Sequence, residues 1–559
     1  MPAGPATNPL PAPAAPTTTP PPPGAAGLAG AVRALSGVTL LSRLGGLARD
    51  LLLARLFGAT AIGSAFNAGF AIPNLFRRLF GEGALSAAFI PEYAQAHKAD
   101  ASVYPVGQAS RLPGRADQLA SLTVLWLLLV TTALTVLIEL ALLAALLLLP
   151  YDPARALSFK LIMLMLPFMP LVCTAAILGG MLQVHGRYGP SATGPLLLNA
   201  FIIAVAAWSL LTRQLGTEAT AYLLGLATVL SGLTQCAWFA LLLRPHIQWT
   251  RAYGDARDSA KRMARRFVPV LVGMGTLQIN AFLDILLAMW PIWVGPTILG
   301  LAYPMDDASN AILTFTQRLY QFPLGVFGIA VATAVFPMLA RHADEPGEFL
   351  STLRRGLRLS LFIGLPASIG LLLVRTDLTT VLFGGGRHGF GPGGLARSAA
   401  VLAGFAPAVW AYSLNHVLTR AFYARGDMRT PMKVALAIVA LNLALNLILI
   451  WPLREAGLAW ATTISATIQC VILAILLSRS LAAPLLDAPT RAALLRTTAA
   501  ALAMGAAVIV IRFLLPAPTT WTGHHLLLSA SCAIGLAAYP LAAAAFGAPE
   551  LRWLLRRAA

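Results

Sequence analysis

Apolar runs of roughly 20 residues recur along almost the whole chain, and a run of that length crosses a bilayer as one helix. Lipid offers no partner to a free backbone N–H or C=O, so spans repeated in this way dictate helices. Counting runs parted by turn or charge signals predicts about fourteen spans, from 28–57 to 524–547. The chain therefore reads as an all-α polytopic membrane protein. Composition agrees: 58% of the 559 residues are hydrophobic and 11% are charged, where soluble domains carry about 25%.

The net charge of +19 comes from 40 Lys and Arg against 21 Asp and Glu. These cations sit in short connections and build no soluble basic domain, which excludes nucleic acid as a partner and points to membrane topology. Arg244, Arg251, Arg257, Lys261, Arg262, Arg265 and Arg266 follow the sixth span, and Arg341, Arg354, Arg355 and Arg358 the eighth. Arg425, Arg429 and Lys433 surround the turn after the tenth, and Arg552, Arg556 and Arg557 end the chain. Basic residues after even-numbered spans place both termini in the cytoplasm, although Arg387 and Arg397 follow the ninth. Cys173, Cys236, Cys470 and Cys532 are scattered through apolar runs, so zinc, redox chemistry and a disulfide framework are not indicated. Residues 1–27, rich in Pro, Ala and Thr and without the basic start of a secretory signal, read as a disordered extension.

Two stretches echo one another about 240 residues apart: GGMLQVHGRYGPSATGPLLLN (179–199) and RAFYARGDMRTPMKVALAIVALN (420–442). Each has a span end, a Gly turn with an Arg, a Pro, and an apolar run ending in Asn. AAFIPEYA (87–94) and TAVFPMLA (333–340) echo each other in the same way. Six spans per copy is an even number, so both halves share one orientation, the parallel-repeat plan of transporters with a site between lobes. The implied organisation is an extension at 1–27, a six-helix lobe at 28–244 and a basic interfacial linker at 245–263. A second six-helix lobe follows at 264–480, then two extra helices and a basic tail at 481–559.

The informative residues are the charges inside the spans, since an Arg at the bilayer centre costs about 2.5–3.5 kcal/mol on insertion scales. The first span contains SRLGGLARD (42–50), in which Arg43 and Asp50 share one helical stripe, with Ser42 and Arg49 on the adjoining one. The second holds IPNLFRRLFGEGALS (72–86), where Arg77, Arg78 and Glu82 surround a break at Pro73, Gly81 and Gly83. The eighth holds FTQRLYQFPLGVFG (315–328), with Arg318 ahead of Pro323. A single Arg near a span end ordinarily pairs or snorkels. Here Arg43, Arg49, Arg77, Arg78 and Arg318 outnumber Asp50 and Glu82. The surplus calls for an anionic ligand, and guanidinium forks match phosphate oxygens.

Asp284 is isolated in LQINAFLDILLAM (277–289), with Asn442 and Asn446 one turn apart on the eleventh span and Thr462 on the twelfth. One carboxylate with amide and hydroxyl oxygens suits a small cation such as Na⁺. It equally suits a protonated Asp hydrogen-bonded to Asn. No other cofactor is indicated, and no catalytic group.

SRLGGLARDLLLARLFGA (42–59), AFNAGFAIPNLFRRLFGEGALSAAFIPEYA (65–94), RLYQFPLGVFGIA (318–330) and RAFYARGDMRTPMK (420–433) resemble the MurJ (MviN) family. Its members are lipid II flippases of the multidrug/oligosaccharidyl-lipid/polysaccharide exporter superfamily. The resemblance runs from about residue 33 to the end. It implies a V-shaped pair of lobes around a cationic cavity, and lipid II, an undecaprenyl diphosphate bearing a disaccharide-pentapeptide, as substrate. The family's cavity arginines match Arg43, Arg49, Arg77 and Arg318, with Ser42 and Asp50 beside them. Its sodium site, seen in some members, matches Asp284, Asn442, Asn446, the Leu458 carbonyl and Thr462. Spans thirteen and fourteen resemble the groove that holds the lipid tail. The chain departs from the family at Gly63-Ser64-Ala65-Phe66, where T-D-A-F is common. It departs again at Gln317, where an acid commonly precedes the Arg, and at Asn446, where some members have Asp.

These residues point to a flippase of the bacterial inner membrane, moving lipid II to the periplasmic leaflet by alternating access and without covalent chemistry. Arginines read a diphosphate and not a sugar, so a flippase for another polyprenyl-diphosphate-linked glycan is the alternative. A glycosyltransferase would need an acidic cluster; Asp306-Asp307, in an outer loop, is nearest and reads as a solvated turn. A scaffold for cell-wall synthesis machinery would not need intramembrane arginines. Contact with that machinery and with membrane lipids is expected of such a flippase.

Overall fold

The structure, a computed structural model, describes residues 25–555 except 82–83, 104–112, 213, 299, 386–388 and 482. The chain up to residue 24, together with Glu82, Arg387, Arg556 and Arg557, lies outside the described residues.

The first half contains α1 (Ala25–Phe57), α2 (Ala61–Phe76), α3 (Ala84–Val103), α4 (Arg115–Leu148), α5 (Pro153–Met165), α6 (Phe168–Val184), α7 (Tyr188–Thr212) and α8 (Thr217–Leu243). The second contains α9 (Arg257–Trp293), α10 (Ser309–Pro323), α11 (Ile329–Arg341), α12 (Pro346–Phe383), α13 (Pro392–Phe405), α14 (Ala408–Ala424), α15 (Arg429–Leu453) and α16 (Glu455–Arg479). Then come α17 (Ala488–Leu514), α18 (Trp521–Ala545) and the short α19 (Pro549–Leu555). A small antiparallel hairpin, β1 (Thr297–Ile298) with β2 (Leu301–Ala302), sits in the α9–α10 connection.

Local chemistry sets many of the ends. Thr60, Asp152, Asp487 and Thr520 each precede a helix and accept a bond from the backbone N–H three residues on, satisfying a donor the first turn leaves open. Helices α2 and α10 carry Pro73 and Pro323 near their ends and pass into one π-helical turn each, Arg77–Gly81 and Leu324–Gly328. The turns after α6 and α14 contain glycines at positive φ, Gly186 at 76° and Gly426 at 77°. The echoed Gly turn is thus one left-handed helix stop used twice.

Packing follows the same repeat. Helix α1 lies on α7, α2 on α5, α6 on α8 and α7 on α8; eight elements later α9 lies on α15, α10 on α13, α14 on α16 and α15 on α16. The two lobes share one plan, and α17 and α18 pack outside it against α12. Lipid gives no hydrophobic drive between helices, so close approach depends on small residues, as where Gly225 and Gly232 of α8 meet Leu164 and Phe168. A buried apolar cluster joins the lobes through Leu53, Phe57 and Phe66 on one side and Ile312, Phe315 and Phe405 on the other. Trp126, Leu137, Leu148 and Phe513 turn large apolar side chains outward, as a lipid-facing surface requires.

Two boundaries differ from expectation. Among the described residues, eleven of the fourteen expected spans are long and apolar enough to cross a membrane by length and composition. The others include α1, bearing Arg43, Arg49 and Asp50, the α2–α3 segment, bearing Arg77 and Arg78, and α9, whose apolar stretch is the shorter 278–293. Helix α1 begins at Ala25, inside the stretch read as an extension, because Ala and Leu favour helix once the prolines end. Helix α9 begins at Arg257, inside the stretch read as a linker. Its first turn holds Asp258, which complements the helix dipole, and Ala, Lys, Arg and Met propagate it.

Gly457, in the first turn of α16, lies against the Leu449 carbonyl and the Ile450 amide of α15, where a Cβ would meet backbone. Gly457→Ala should cost about 1–3 kcal/mol of stability, read as a lower melting temperature of the purified protein in detergent. An unchanged melt would show the α15–α16 turn free to shift.

Candidate functional site

Helix α1 carries Arg49 and Asp50 into the interior, where α7 and α10 meet it. One Asp50 oxygen accepts from Arg49, Nε at 2.9 Å and Nη2 at 2.7 Å, and the other pairs with Arg318 Nε at 3.1 Å. The carboxylate thereby ties the first lobe to the second. Arg49 Nη1 also donates to Asn199 Oδ1 at 3.1 Å, and its guanidinium lies 5.2 Å from the Phe70 ring centroid. Asn199 in turn donates to the Ser42 carbonyl at 3.1 Å. Arg318 donates to Gln321 at 3.1 Å, and Arg77, at the start of its π-helical turn, donates to Asn74 at 2.8 Å.

Several of these side chains border a cavity of about 500 Å³ that is walled by the first lobe, with Arg318 entering it from the second. Arg49, Arg77, Arg78 and Arg318 line it with Asn74 and Asn199, and its described lining holds no carboxylate. Asp50 borders a smaller pocket beside it, together with Arg49 and Arg318. The wall is cationic, and its planar N–H pairs match phosphate or carboxylate oxygens. Ser42 and Arg43 are not in that lining. Ser42 contributes its backbone carbonyl, and the exposed Arg43 rests its guanidinium against Gly325 in the π-helical turn of the other lobe.

A second constellation forms where α9 meets α15. Asn446 Nδ2 donates to Asp284 Oδ1 at 2.7 Å and to Asn442 Oδ1 at 3.1 Å, while the Thr462 hydroxyl donates to the Leu458 carbonyl at 2.9 Å. Asp284, Asn442 and Thr462 line a cavity of about 180 Å³ with Asn280, Tyr320 and Tyr412. Asn446 Oδ1 and Asn280 Oδ1 are buried without a hydrogen-bond partner, so acceptor oxygens exceed donors here. That surplus fits a cation. Asp284 also borders a third cavity, about 150 Å³, with Asn74, Arg78, Gln317 and Arg318, which connects it to the arginines.

At one end the lobes are latched. Asn310 Nδ2 donates to the Ser64 carbonyl at 2.9 Å, and the Ala311 N–H donates to Ser64 Oγ at 3.0 Å, closing α10 onto α2. Nearby, Arg397 binds Glu455 at 2.5 Å and Asp306 at 2.8 Å, and Arg454 reaches Asp306 at 3.0 Å. Asp306, read from sequence as part of a solvated turn, is therefore an ion-pair acceptor. Its partners stand 91 and 148 positions away, so no local pattern reveals them. Asn199 was also missed, although it ends the repeated motif as Asn442 does in the second copy.

The family model described as lipid II flippase MurJ matches residues 53–530. The chain belongs to that family. The probable lipid II flippase MurJ of Vibrio cholerae is 30% identical over 452 residues, 78% of this chain and 81% of that protein. Its counterpart from Haemophilus influenzae is 30% identical over 497 residues, 84% of this chain and 90% of that one. A solved structure of lipid II flippase MurJ in an inward closed conformation superposes with a TM-score of 0.72 at 20% identity, covering 93% of this chain and 99% of that one. An inward-facing multidrug resistance MATE family transporter shares the fold at a TM-score of 0.59 and 13% identity, over 77% and 92% of the chains. The chain is a multi-pass membrane protein of transporter fold.

The Asp306 ion pairs, all within the second lobe, carry a pH signature. Burial alone would raise this carboxyl, but the bonds from Arg397 and the charges of Arg397 and Arg454 outweigh it and hold the group below its ordinary 3.8. A depressed carboxyl stabilises the fold above its unfolded value and loses that contribution as pH falls through the folded one. Asp306→Asn should lower the melting temperature near pH 7, and the gap to the unsubstituted protein should narrow below about pH 4. A gap constant down to about pH 3 would remove the ion pair as its cause.

Proposed function

We propose that this chain is a lipid II flippase, moving the undecaprenyl-diphosphate-linked peptidoglycan precursor from the cytoplasmic to the periplasmic leaflet by alternating access. The observation that carries the reading is the cavity walled by Arg49, Arg77, Arg78 and Arg318, with no carboxylate in its described lining, in a chain of this family. A diphosphate presents several anionic oxygens at the spacing that guanidinium forks accept. Its oxygens compete with Asp50 for Arg49 and Arg318. Exchange of one acceptor for another lets the lobes part without stranding a guanidinium in apolar surroundings. Arg43 and Ser42, about two turns before Arg49 on α1, serve the entry side.

The orientation that fits has both termini cytoplasmic. The cavity lining continues to Gln183 and Ser191 beside the α6–α7 turn, while Ser64, Asn310 and Ala311 join the lobes at the other end, the arrangement of an inward state. An inside-negative potential favours outward movement of the diphosphate by about 2.3 kcal/mol per charge per 100 mV. Asp284, Asn442, Asn446, the Leu458 carbonyl and Thr462 would hold Na⁺, which supplies positive charge to oxygens left without donors. Lipid II, bilayer lipids and the cell-wall synthesis machinery are the partners this role implies, and no covalent step is involved.

Arg49→Ala and Arg318→Ala should each slow lipid II flipping at least about tenfold in cells depleted of their own flippase, with membrane insertion retained. Arg49→Lys should also be impaired, because a point charge cannot reproduce the two-bond contact with Asp50. Normal outer-leaflet lipid II in both alanine variants would end this reading. For the ion, Asp284→Ala should abolish a Na⁺ requirement for flipping in vesicles; equal rates of the unsubstituted protein in Na⁺ and K⁺ count against it.

A further inference from the structure

The outward face of the first lobe holds an apolar groove of about 600 Å³ between α4 and the first turns of α9. Leu127 is buried within it, Phe80 and Phe267 are half-buried with ring centroids 6.0 Å apart, and Trp126 is 63% exposed. Arg257 and Lys261, both exposed, also line it; four residues apart, they share one face of α9. Asp258 approaches Lys261 only at 4.0 Å, with side chains 80% and 74% exposed, a contact too hydrated to cancel the charge.

The groove has a level in the bilayer. Helix α4 has 34 residues, about 51 Å, against a hydrocarbon core of about 30 Å. From Leu148 back to Trp126 is 22 residues (148 minus 126), about 33 Å, so with Leu148 at one boundary Trp126 falls at the other. Tryptophan is a residue of that boundary. Two cations, a boundary indole and an apolar cleft therefore follow one another in the order of phosphate, interface and acyl chain.

We propose that this groove binds an anionic phospholipid of the membrane, its phosphate on Arg257 and Lys261 and one acyl chain along Trp126, Phe80 and Phe267. The site lies apart from the arginine-lined cavity and does not depend on what that cavity carries. It shares one wall with it: Phe80 belongs to the π-helical turn Arg77–Gly81, whose Arg77 and Arg78 line the cavity. A bound chain braces the turn that positions two cavity arginines.

The test is native mass spectrometry of the purified full-length protein with phosphatidylglycerol against phosphatidylcholine of identical chains. Two cations near the headgroup should give a preference for the anionic lipid of roughly tenfold or more. Arg257→Gln with Lys261→Gln, both at exposed positions, should erase that preference. Ala260→Trp, which fills the groove, should lower retention of both lipids. Equal retention of the two lipids by the unsubstituted protein, or a preference that survives the double substitution, overturns the proposal. Undiminished retention by the Ala260→Trp variant does so as well.

Discussion

A charge inside an apolar span persists only where an opposite charge or water meets it, and Asp50 is where that condition is met for both lobes at once. Its two oxygens take Arg49 from the same helix and Arg318 from the opposite lobe. Removing one partner of a fully buried pair costs about 3–5 kcal/mol, because the other charge is left uncompensated, and that is the upper bound for these part-buried side chains. The angle at which α1 meets α10 is therefore tied to one carboxylate. A tie of this kind is also exchangeable, since any anion that satisfies the two guanidinium groups releases it.

The repeat places the two charged constellations on corresponding helix pairs. In the first lobe α1 packs on α7, and Asn199 of α7 accepts from Arg49; in the second α9 packs on α15, and Asn446 of α15 donates to Asp284. An amide can serve either role because it carries both an acceptor oxygen and two donor hydrogens. One pair of helices can thus present its amide to a guanidinium in one copy and to a carboxylate in the other. Gln317, bordering the same small cavity as Asp284 and Arg318, keeps the space between them neutral.

The latch shows how neutral groups close a lobe interface. Ser64, where the resembling family commonly has an acid, accepts from the Ala311 N–H through its hydroxyl and from Asn310 through its carbonyl. These bonds are buried, and they satisfy a backbone donor at the start of α10 that the helix itself leaves open. Beside it, wholly within the second lobe, Arg397 pairs with Glu455 and with Asp306, which retains access to water.

Much was legible in the chain before folding. Run length and the scarcity of charge determined the membrane class and the helices, because a bilayer acts on each segment separately. The misplaced arginines, the isolated Asp284 and the paired Gly turns were readable for the same reason: each is a local violation or a local requirement. Which charges meet was not. Arg49 and Arg318 share a cavity while Arg43 rests outside its lining, Asn199 proves to be the anchor of Arg49, and Asp306 finds Arg397 and Arg454. A cavity or a bridge is a relation between helices far apart in sequence, set by the packing of whole segments, and only the tertiary structure decides it.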